Sequence, residues 1–217
     1  MKKIATYVVL ALVSLLTLAP VIWTVLSSMR PPSESLSTDG SLIPSSLDFS
    51  SYPAVFEKVD MWLLILNSVL VTGIIAVGQM LSSAMAGYVF ARFEFRSKNL
   101  LFALILATMM VPMQVTIVPV FMLIRGMNLA DTLLALILPA IPTAFGTFLM
   151  RQYFMGLPAE LGEASEIDGA TPWRTFASIY APLATPGMAI VGILAFNFHW
   201  NEFFRPLILT ISEQNFT

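Results

Sequence analysis

Five long stretches without a charged residue constrain the fold of this chain more than any other feature of its sequence. They are Ile4–Met29, Met61–Ala91, Asn99–Ile124, Thr132–Met150 and Thr175–Asn201. A helix needs about 20 apolar residues to cross a bilayer, and each stretch is of that order. Only 11% of the residues are charged, against about 25% in soluble domains. The sequence therefore predicts an all-α, polytopic membrane bundle with spans at about 4–27, 61–90, 99–123, 132–150 and 183–209.

The lysines and arginines between these stretches predict the orientation of the spans. With the N-terminus in the cytoplasm, seven basic residues lie inside and four outside, the bias expected from the positive-inside rule. This places residues 30–60 outside the cell and residues 151–182 in the cytoplasm. The outer loop has a net charge of −3 and is rich in proline and serine. It could be a spacer or a docking surface for an extracytoplasmic partner.

Several kinds of chemistry are excluded by what the sequence lacks. It has no cysteine and a single histidine, His199, so thiolate and histidine-based metal sites are not expected. It contains no GxxxxGK[ST], HExxH or GxSxG motif, so Walker-type ATP hydrolysis by this chain is excluded. Its 13 acidic and 11 basic residues give no sign of nucleic-acid binding. We expect a non-enzymatic chain that binds no cofactor itself.

The segment from Glu160 to Pro186 is a polar interruption with clear helix punctuation. Glu160 and Glu163 suit the first turns of a helix, where the dipole favours acids. Gly169 is a natural terminator for that helix. Thr171 and Pro172 form an N-cap and first-turn pair for a second helix, which Pro182 should end. The sequence therefore predicts a helix–glycine–helix hairpin on the cytoplasmic side.

Small and polar residues within the spans predict packing contacts and a polar path. Ser82 with Ala86, and Ser83 with Gly87, permit close approach of a neighbouring helix. Gln114 lies between two kink-forming prolines and could face a cavity. The end of the fifth span is both aromatic and polar. This composition is typical of an interfacial anchor, but it also suits residues that line a path for a sugar. The residues that we assign to a substrate path are Asn67, Gln114, Asn197, Trp200, Asn201 and Glu202.

The hairpin residues resemble a known motif. Glu163-Ala164-Ser165, followed by Gly169, Ile179 and Pro182, is similar to the cytoplasmic EAA loop of the membrane-spanning subunits of ATP-binding-cassette (ABC) importers. The string around Asp168 and Ala170 resembles the carbohydrate-uptake branch of this family, and within it the second permease of maltose-type systems. Ser165 departs from the usual Ala, and Ala181 departs from the usual Leu.

This resemblance implies a function and a set of partners. The residues that it assigns to coupling are Glu163, Ala164, Ser165, Asp168, Gly169, Ala170, Ile179 and Pro182. It implies a homologous second permease, two cytoplasmic ATP-binding subunits that hold ATP and Mg²⁺, and an extracytoplasmic solute-binding protein. The location it implies is a bacterial plasma membrane. Family members usually have a sixth span, which is absent from the sequence as given. Either that span follows in the complete protein, which we expect, or the protein is atypical of the family.

Two alternatives to a sugar permease stay open at this point. The same fold could import glycerol-phosphate or a phosphodiester, for which a basic side chain such as Arg125 or Arg205 would be needed near the path. An ion-coupled secondary transporter or an intramembrane enzyme is a more distant alternative. Such proteins bury ionisable residues within their spans, and the five charge-free stretches contain no Lys, Arg, Asp or Glu.

Overall fold

The computed structural model describes residues 2–35 and 44–217, and within these ranges the regular structure is entirely helical. The chain divides into two compact units, Met1–Met61 and Trp62–Thr217. By length and composition, two single helices are able to cross a membrane, and up to five spans exist if each of three bent helix pairs is counted as one. This agrees with the all-α, five-span prediction.

The first unit contains one long apolar helix and two short ones. Helix α1 (Lys2–Ser28) covers the first predicted span and has Pro20 in its interior. Its apolar side chains are exposed within the unit, so lipid or another protein must cover them. Helices α2 (Pro32–Ser35) and α3 (Ser51–Lys58) lie in the predicted outer loop, 30–60, of which residues 36–43 are outside the described part of the chain.

The long helix α4 (Met61–Arg92) packs its small residues against a later helix, α8 (Ala144–Met155). A Cβ atom on Gly87 would lie 2.6 Å from the Cβ of Met150, which leaves no room for a side chain. Ser83, one turn earlier, is buried against Gly146. The predicted packing role of Ser83 and Gly87 is therefore confirmed, and the predicted span 61–90 corresponds to α4.

The third predicted span, 99–123, corresponds to a bent pair of helices. The structure has α5 (Lys98–Thr108) and α6 (Met113–Gly126), which meet at an angle of 101°. Pro112 lies at the break in an extended conformation. Because a proline cannot donate a backbone hydrogen bond and disfavours helix in the preceding residue, a helix readily ends before it. Pro119, by contrast, is accommodated inside α6.

The fourth predicted span, 132–150, is also interrupted. Helix α7 (Leu133–Ile137) continues as a 3₁₀ turn, Leu138–Ala140, and α8 follows at an angle of 41°. Two carbonyls at this break are satisfied by α4: Gln79 Nε2 donates to the Ala140 oxygen at 2.8 Å, and Ser82 Oγ donates to the Ile141 oxygen at 3.1 Å. Such partners are required because the lipid chains offer no hydrogen bonds to the backbone N–H and C=O groups of a non-helical segment at membrane depth.

The remaining helices form the hairpin and the last span. They are α9 (Glu160–Ile167), α10 (Pro172–Thr175), a π-helical turn (Phe176–Tyr180), α11 (Ala181–Leu183), α12 (Thr185–Trp200), α13 (Phe204–Leu209) and a 3₁₀ turn (Glu213–Asn215). The predicted fifth span, 183–209, is broken after Trp200. Pro206 explains the break, since it has no N–H for an uninterrupted helix and its ring crowds the preceding turn.

The second unit has two separate cores. The one that we call the hairpin core joins α4 and α8 to the hairpin; its buried members are Ala84, Tyr88, Met150, Phe154, Phe176, Tyr180, Ala184 and Val191. The one that we call the C-terminal core joins α4, α6, α7 and α13; its buried members are Val71, Ile75, Ile124, Ala135, Leu136, Ile137, Ala140 and Leu209. Each core therefore links α4 to elements far away in the sequence.

Asp131 fastens the segment that follows α13. Its carboxylate accepts the backbone N–H groups of Ile211 at 2.8 Å and Ser212 at 2.9 Å, and it also pairs with the Ser212 hydroxyl. These hydrogen bonds favour the ionised form, and they hold the pKa of Asp131 well below its ordinary value. Asp131 has a positive φ of 56°, which this residue type tolerates better than most.

Candidate functional site

The first helix of the hairpin, α9, ends in a well-formed Schellman motif. The Ala170 N–H donates to the Ser165 carbonyl at 2.9 Å, and the Gly169 N–H donates to the Glu166 carbonyl at 3.0 Å. Gly169 has a φ of +72°, a left-handed conformation that glycine adopts without the steric cost of a Cβ atom. The predicted termination of this helix at Gly169 is confirmed.

The second helix begins as predicted but ends later. The Thr171 side chain accepts the Arg174 N–H at 3.3 Å, and Pro172 occupies the first turn. The helical path then runs through Pro182 to Leu183, so the prediction that Pro182 ends it is wrong. A π-helical turn precedes the proline: the Ala181 N–H donates to the Phe176 carbonyl, five residues back. This wider turn relieves the clash that a proline causes in a regular α-helix.

A buried pair of hydroxyls joins the two helices of the hairpin. Ser165 Oγ and Thr175 Oγ1 are 2.8 Å apart, and Ser165 Oγ also lies 2.8 Å from the Gly162 carbonyl. Both side chains are about 95% buried. Ser165, the departure from the family's usual alanine, therefore makes a specific contact that alanine would lack.

Arg92, at the end of α4, connects the base of the hairpin to the spans. Its Nη2 atom lies 2.6 Å from the carbonyl oxygens of both Phe154 and Leu157, at the end of α8. Its guanidinium carbon lies 4.8 Å from the ring centroid of Tyr180, in the π-helical turn. Tyr180 is 1% exposed. Arg92 therefore contacts the hairpin and the end of α8 while belonging to α4.

The outward face of the hairpin combines acidic and apolar side chains. Of the eight residues assigned to coupling, five are exposed, two are partly buried and Ser165 is buried; the exposed ones are Glu163, Ala164, Asp168, Gly169 and Pro182. Beside them, Ile167 is 87% exposed and Trp173 is 65% exposed. Exposed acidic side chains together with large apolar ones suit a docking surface for a basic and apolar groove in another protein.

A second polar arrangement, which we call the polar cluster, lies between α4, α12 and α13. Gln79 Nε2 is 3.0 Å from His199 Nε2, and His199 Nδ1 is 2.7 Å from Glu202 Oε2. Glu202 Oε1 lies 3.0 Å from Arg205 Nε, and Arg205 Nη1 donates to the Leu136 carbonyl at 3.1 Å. Three ionisable side chains of the cluster are thus paired with one another and shielded from solvent.

The six residues predicted to line a substrate path are not all brought together. Asn197 borders a cavity beside the polar cluster, and Trp200, Asn201 and Glu202 border another near α13. Asn67 is buried, and its amide donates to the Gln214 and Phe216 carbonyls at 2.9 Å each. Gln114 is exposed on α6. Neither Asn67 nor Gln114 borders these two cavities.

The sequence did not predict Gln79 or Arg92 as members of these sites, and it indicated Arg205 only as a possible cation for a phosphorylated cargo. A single glutamine in a 31-residue apolar stretch was a signal for Gln79, and the three-residue spacing from Glu202 was a signal for Arg205. No sequence signal pointed to the carbonyl partners of Arg92. Within residues 2–35 and 44–217, no three His, Asp or Glu side chains converge to form a candidate metal site.

Fold and site together define a class of protein: a helical membrane transport protein with broken spans and a polar hairpin that can dock on another protein. Within that class the chain belongs to the family of binding-protein-dependent transport system inner membrane components, whose model matches residues 81–214. The matched region contains the hairpin, the hairpin core and, from the polar cluster, His199, Glu202 and Arg205.

Individual relatives and a solved structure agree with this family. The chain is 35% identical over 210 residues to the arabinooligosaccharides transport system permease protein AraQ of Halalkalibacterium halodurans, covering 95% of this chain and 75% of AraQ. It is 37% identical over 153 residues to the sn-glycerol-3-phosphate transport system permease protein UgpE of Salmonella typhimurium, covering 70% of this chain and 54% of UgpE. A crystal structure of a bacterial ABC transporter that imports the acidic polysaccharide alginate matches with a TM-score of 0.84 and 25% identity, covering 98% of this chain and 75% of the matched chain.

Proposed function

We propose that the chain is the membrane-spanning permease subunit of an ATP-driven importer for a sugar or oligosaccharide. The observation that carries this proposal is the hairpin: a helix–glycine–helix unit with an exposed acidic and apolar face, closed by a Schellman turn and anchored by Arg92 to the spans. Because the sequence has no nucleotide-binding loop, the energy for transport comes from another subunit. The hairpin is the element through which that energy enters.

The coupling mechanism follows from the rigidity of the hairpin. Residues Glu163, Ala164 and Asp168 lie on the docking face, while Gly169 and Ala170 hold the turn. The Ser165–Thr175 hydroxyl pair and the Tyr180 ring make the two helices move as one body. When an ATPase subunit displaces α9, the contacts of Arg92 carry that displacement to α4 and α8, and Ile179 and Pro182 lead it into α12.

The proposed function also requires specific partners and an orientation. We propose a homologous second permease, two cytoplasmic ATP-binding subunits and an extracytoplasmic solute-binding protein, in a bacterial plasma membrane with the N-terminus in the cytoplasm. ATP and Mg²⁺ are held by the ATP-binding subunits, and this chain catalyses no reaction and binds no cofactor. The outer loop, 30–60, is on the side from which the solute-binding protein delivers its cargo.

A phosphorylated cargo is the second candidate, because UgpE is a transport permease for sn-glycerol-3-phosphate. An anionic cargo requires an unpaired cation along the path. Arg205 borders the cavity beside the polar cluster, but its guanidinium is already paired with Glu202 and with the Leu136 carbonyl. This pairing favours an uncharged carbohydrate.

A charge reversal on the hairpin tests the coupling role. In proteoliposomes containing the complete transporter, Glu163→Lys should reduce sugar uptake about tenfold or more, whereas basal ATP hydrolysis continues. Glu160→Lys is the matched control: it places the same charge in the same first helical turn, with the same loss of dipole stabilisation, but outside the coupling residues. Equal uptake in both variants would contradict the proposed contact.

A further inference from the structure

His199 links two interrupted spans. It lies in the last turn of α12, where the fifth span breaks, and Gln79 joins its ring to the Ala140 carbonyl at the break that follows α7. The side chains of His199 and Glu202 are only 5% and 7% exposed, and Gln79 is buried as well. Histidine is the side chain whose charge ordinarily changes between about pH 5 and 8, so the link between the two breaks contains a titratable group.

The orientation of the Gln79 amide determines which nitrogen of His199 carries a proton. Gln79 Nε2 lies 2.8 Å from the Ala140 carbonyl oxygen and 3.0 Å from His199 Nε2. A carbonyl oxygen only accepts hydrogen bonds, so the amide nitrogen and not the amide oxygen must face Ala140. The second hydrogen of the same NH₂ group then points at His199 Nε2, which must accept it. His199 Nδ1, which is 2.7 Å from Glu202 Oε2, therefore holds the single ring proton, and the imidazole is neutral.

A second proton on His199 cannot be added without the loss of a hydrogen bond. Both nitrogens of an imidazolium are donors, so the Nε2–H would face the NH₂ group of Gln79. If the Gln79 amide rotates by half a turn, its oxygen accepts from His199, but the same oxygen then faces the Ala140 carbonyl. That carbonyl would be left without a donor at membrane depth, where lipid supplies none. Protonation of His199 therefore breaks the contact between the two interrupted spans.

The charges around the ring are balanced while His199 is neutral. Glu202 Oε2 faces His199 Nδ1, and Glu202 Oε1 lies 3.0 Å from Arg205 Nε. No other Asp, Glu, Lys or Arg side chain lines the two cavities that adjoin the ring, which are formed by described residues of α4, α7, α8, α12 and α13. The carboxylate and the guanidinium cancel, so a proton on His199 leaves one uncompensated positive charge in a site shielded from solvent.

Water gives protons a route to the buried ring. A cavity of about 40 Å³ lies against His199, Glu202 and Arg205, and Ser68 and Thr72 of α4 line its other side. One water needs about 10–15 Å³ and two to four polar partners, and this cavity provides both. A larger cavity, of about 580 Å³, borders the ring from the side of α8. The ring can therefore exchange protons with the medium although it is buried.

We propose that His199 is a positioning residue whose action is controlled by a proton. Neutral His199 holds Gln79 on the Ala140 carbonyl and so joins the break after α7 to the break after α12. Protonated His199 releases this contact, and transport is lost. The inference rests on the proposed transport function and adds pH control to it. His199 acts through Gln79 and Glu202, and this role requires no contact between His199 and the cargo.

The pH profile of uptake tests the proposal. The complete transporter in proteoliposomes takes up arabinooligosaccharides while the pH on the side of the solute-binding protein is varied from about 8 to about 5 and the pH on the ATP side is held constant. His199→Gln is the non-titrating comparison, because its side-chain oxygen can still accept from Gln79. Each uptake rate is expressed relative to the rate of the same variant at the highest pH. The relative uptake of the wild type should fall below that of His199→Gln in acid, by about tenfold for each pH unit once the protonated form predominates.

Ser82→Ala is the matched control for support of the break. Ser82 Oγ donates to the neighbouring Ile141 carbonyl at 3.1 Å, so this variant also removes a hydrogen bond at the break but leaves His199 untouched. Its uptake should be lower than that of the wild type by the same factor at every pH. If His199→Gln does not assemble into the transporter, His199→Asn replaces it, since the asparagine amide can keep the donor to Glu202 and does not titrate.

Nitrogen NMR of the complex labelled with ¹⁵N-histidine reads the state of the ring directly. The signals that disappear in His199→Gln, or in His199→Asn, belong to His199. At the highest pH they should show an unprotonated Nε2 and a protonated Nδ1, and both nitrogens should be protonated over the pH range in which uptake falls. An unprotonated Nδ1, or two protonated nitrogens at the highest pH, would overturn the assigned arrangement.

The two measurements separate the proton control from the transport function. If the wild-type transporter takes up no sugar at any pH, the proposed function is wrong, and the NMR signals still decide the state of His199. If it takes up sugar and its relative pH profile coincides with that of the non-titrating variant, His199 does not control transport. A loss of uptake at a pH where the ring is still neutral would overturn the proposal in the same way.

Discussion

Replacing Gly169 with alanine should weaken the hairpin turn without a steric clash. Gly169 has a φ of +72°, and a Cβ atom built there meets no atom within 4 Å. The cost is therefore purely that of holding an L-residue in the left-handed region, about 1–2 kcal/mol. A destabilisation of about 1.4 kcal/mol changes a local equilibrium about tenfold, so the closed turn should open about ten times more often.

Hydrogen exchange and coupled transport measure this change together. The amides of Gly169 and Ala170 donate to the carbonyls of Glu166 and Ser165, so their exchange should accelerate about tenfold in Gly169→Ala. In proteoliposomes, the same variant should import less sugar for each ATP hydrolysed. Gly169→Asn should lie between alanine and wild type, because asparagine tolerates the left-handed conformation.

Gly73→Ala is the matched control. Gly73 lies inside α4, its added Cβ also meets no atom within 4 Å, and its φ is not positive. Alanine there should be neutral or stabilising by up to about 1 kcal/mol, since it is the better helix former. The reasoning fails if Gly169→Ala exchanges and transports like wild type, or if Gly169→Asn is as impaired as Gly169→Ala.

Two further predictions concern specific hydrogen bonds. Ser165→Ala should destabilise the hairpin by about 1 kcal/mol. In a double-mutant cycle with Thr175→Val, measured by thermal unfolding of the complex, the losses of stability from the two single variants should be non-additive. Additive losses of stability would contradict the hydroxyl pair. The hydrogen bonds from Ile211 and Ser212 lower the pKa of Asp131 in the folded protein. The ionised carboxylate therefore contributes its full stabilisation at any pH above the ordinary pKa of 3.8. This contribution is lost only as the pH falls through the lower pKa of the folded state. Proteolysis of residues 210–215 should therefore be independent of pH from 5 to 8 and should increase in stronger acid, whereas Asp131→Asn should remove that acid dependence; an increase already at pH 6 would contradict this assignment.

The sequence by itself determined the elements whose cause is local. Charge-free stretches of sufficient length specify helices in a bilayer, because every backbone group is then satisfied within the segment. The hairpin was predictable for a similar reason: Gly169, Thr171 and Pro172 act on the backbone within one turn of themselves. Ser83 and Gly87 were predictable because small side chains at four-residue spacing permit close helix packing in any context.

Only the tertiary structure decided where spans bend and which polar groups pair. Pro112 lies at a 101° break, whereas Pro119 is accommodated inside a helix, and the sequence around each proline does not distinguish these outcomes. Whether a proline breaks a helix depends on partners for the carbonyls that it leaves free. At the break after α7 those partners are Gln79 and Ser82, about 60 residues earlier in the chain.

In the hairpin and in the polar cluster, too, local features were predictable from the sequence and long-range contacts were not. The turn and the caps of the hairpin depend on residues only a few positions apart, so the shape of the hairpin could be predicted from the sequence. Its attachment through Arg92, and the link from Gln79 to His199 across 120 residues, depend on how α4 lies against α8 and α12. Local propensity carries no information on such contacts, because a side chain's partner is fixed only when distant helices pack together.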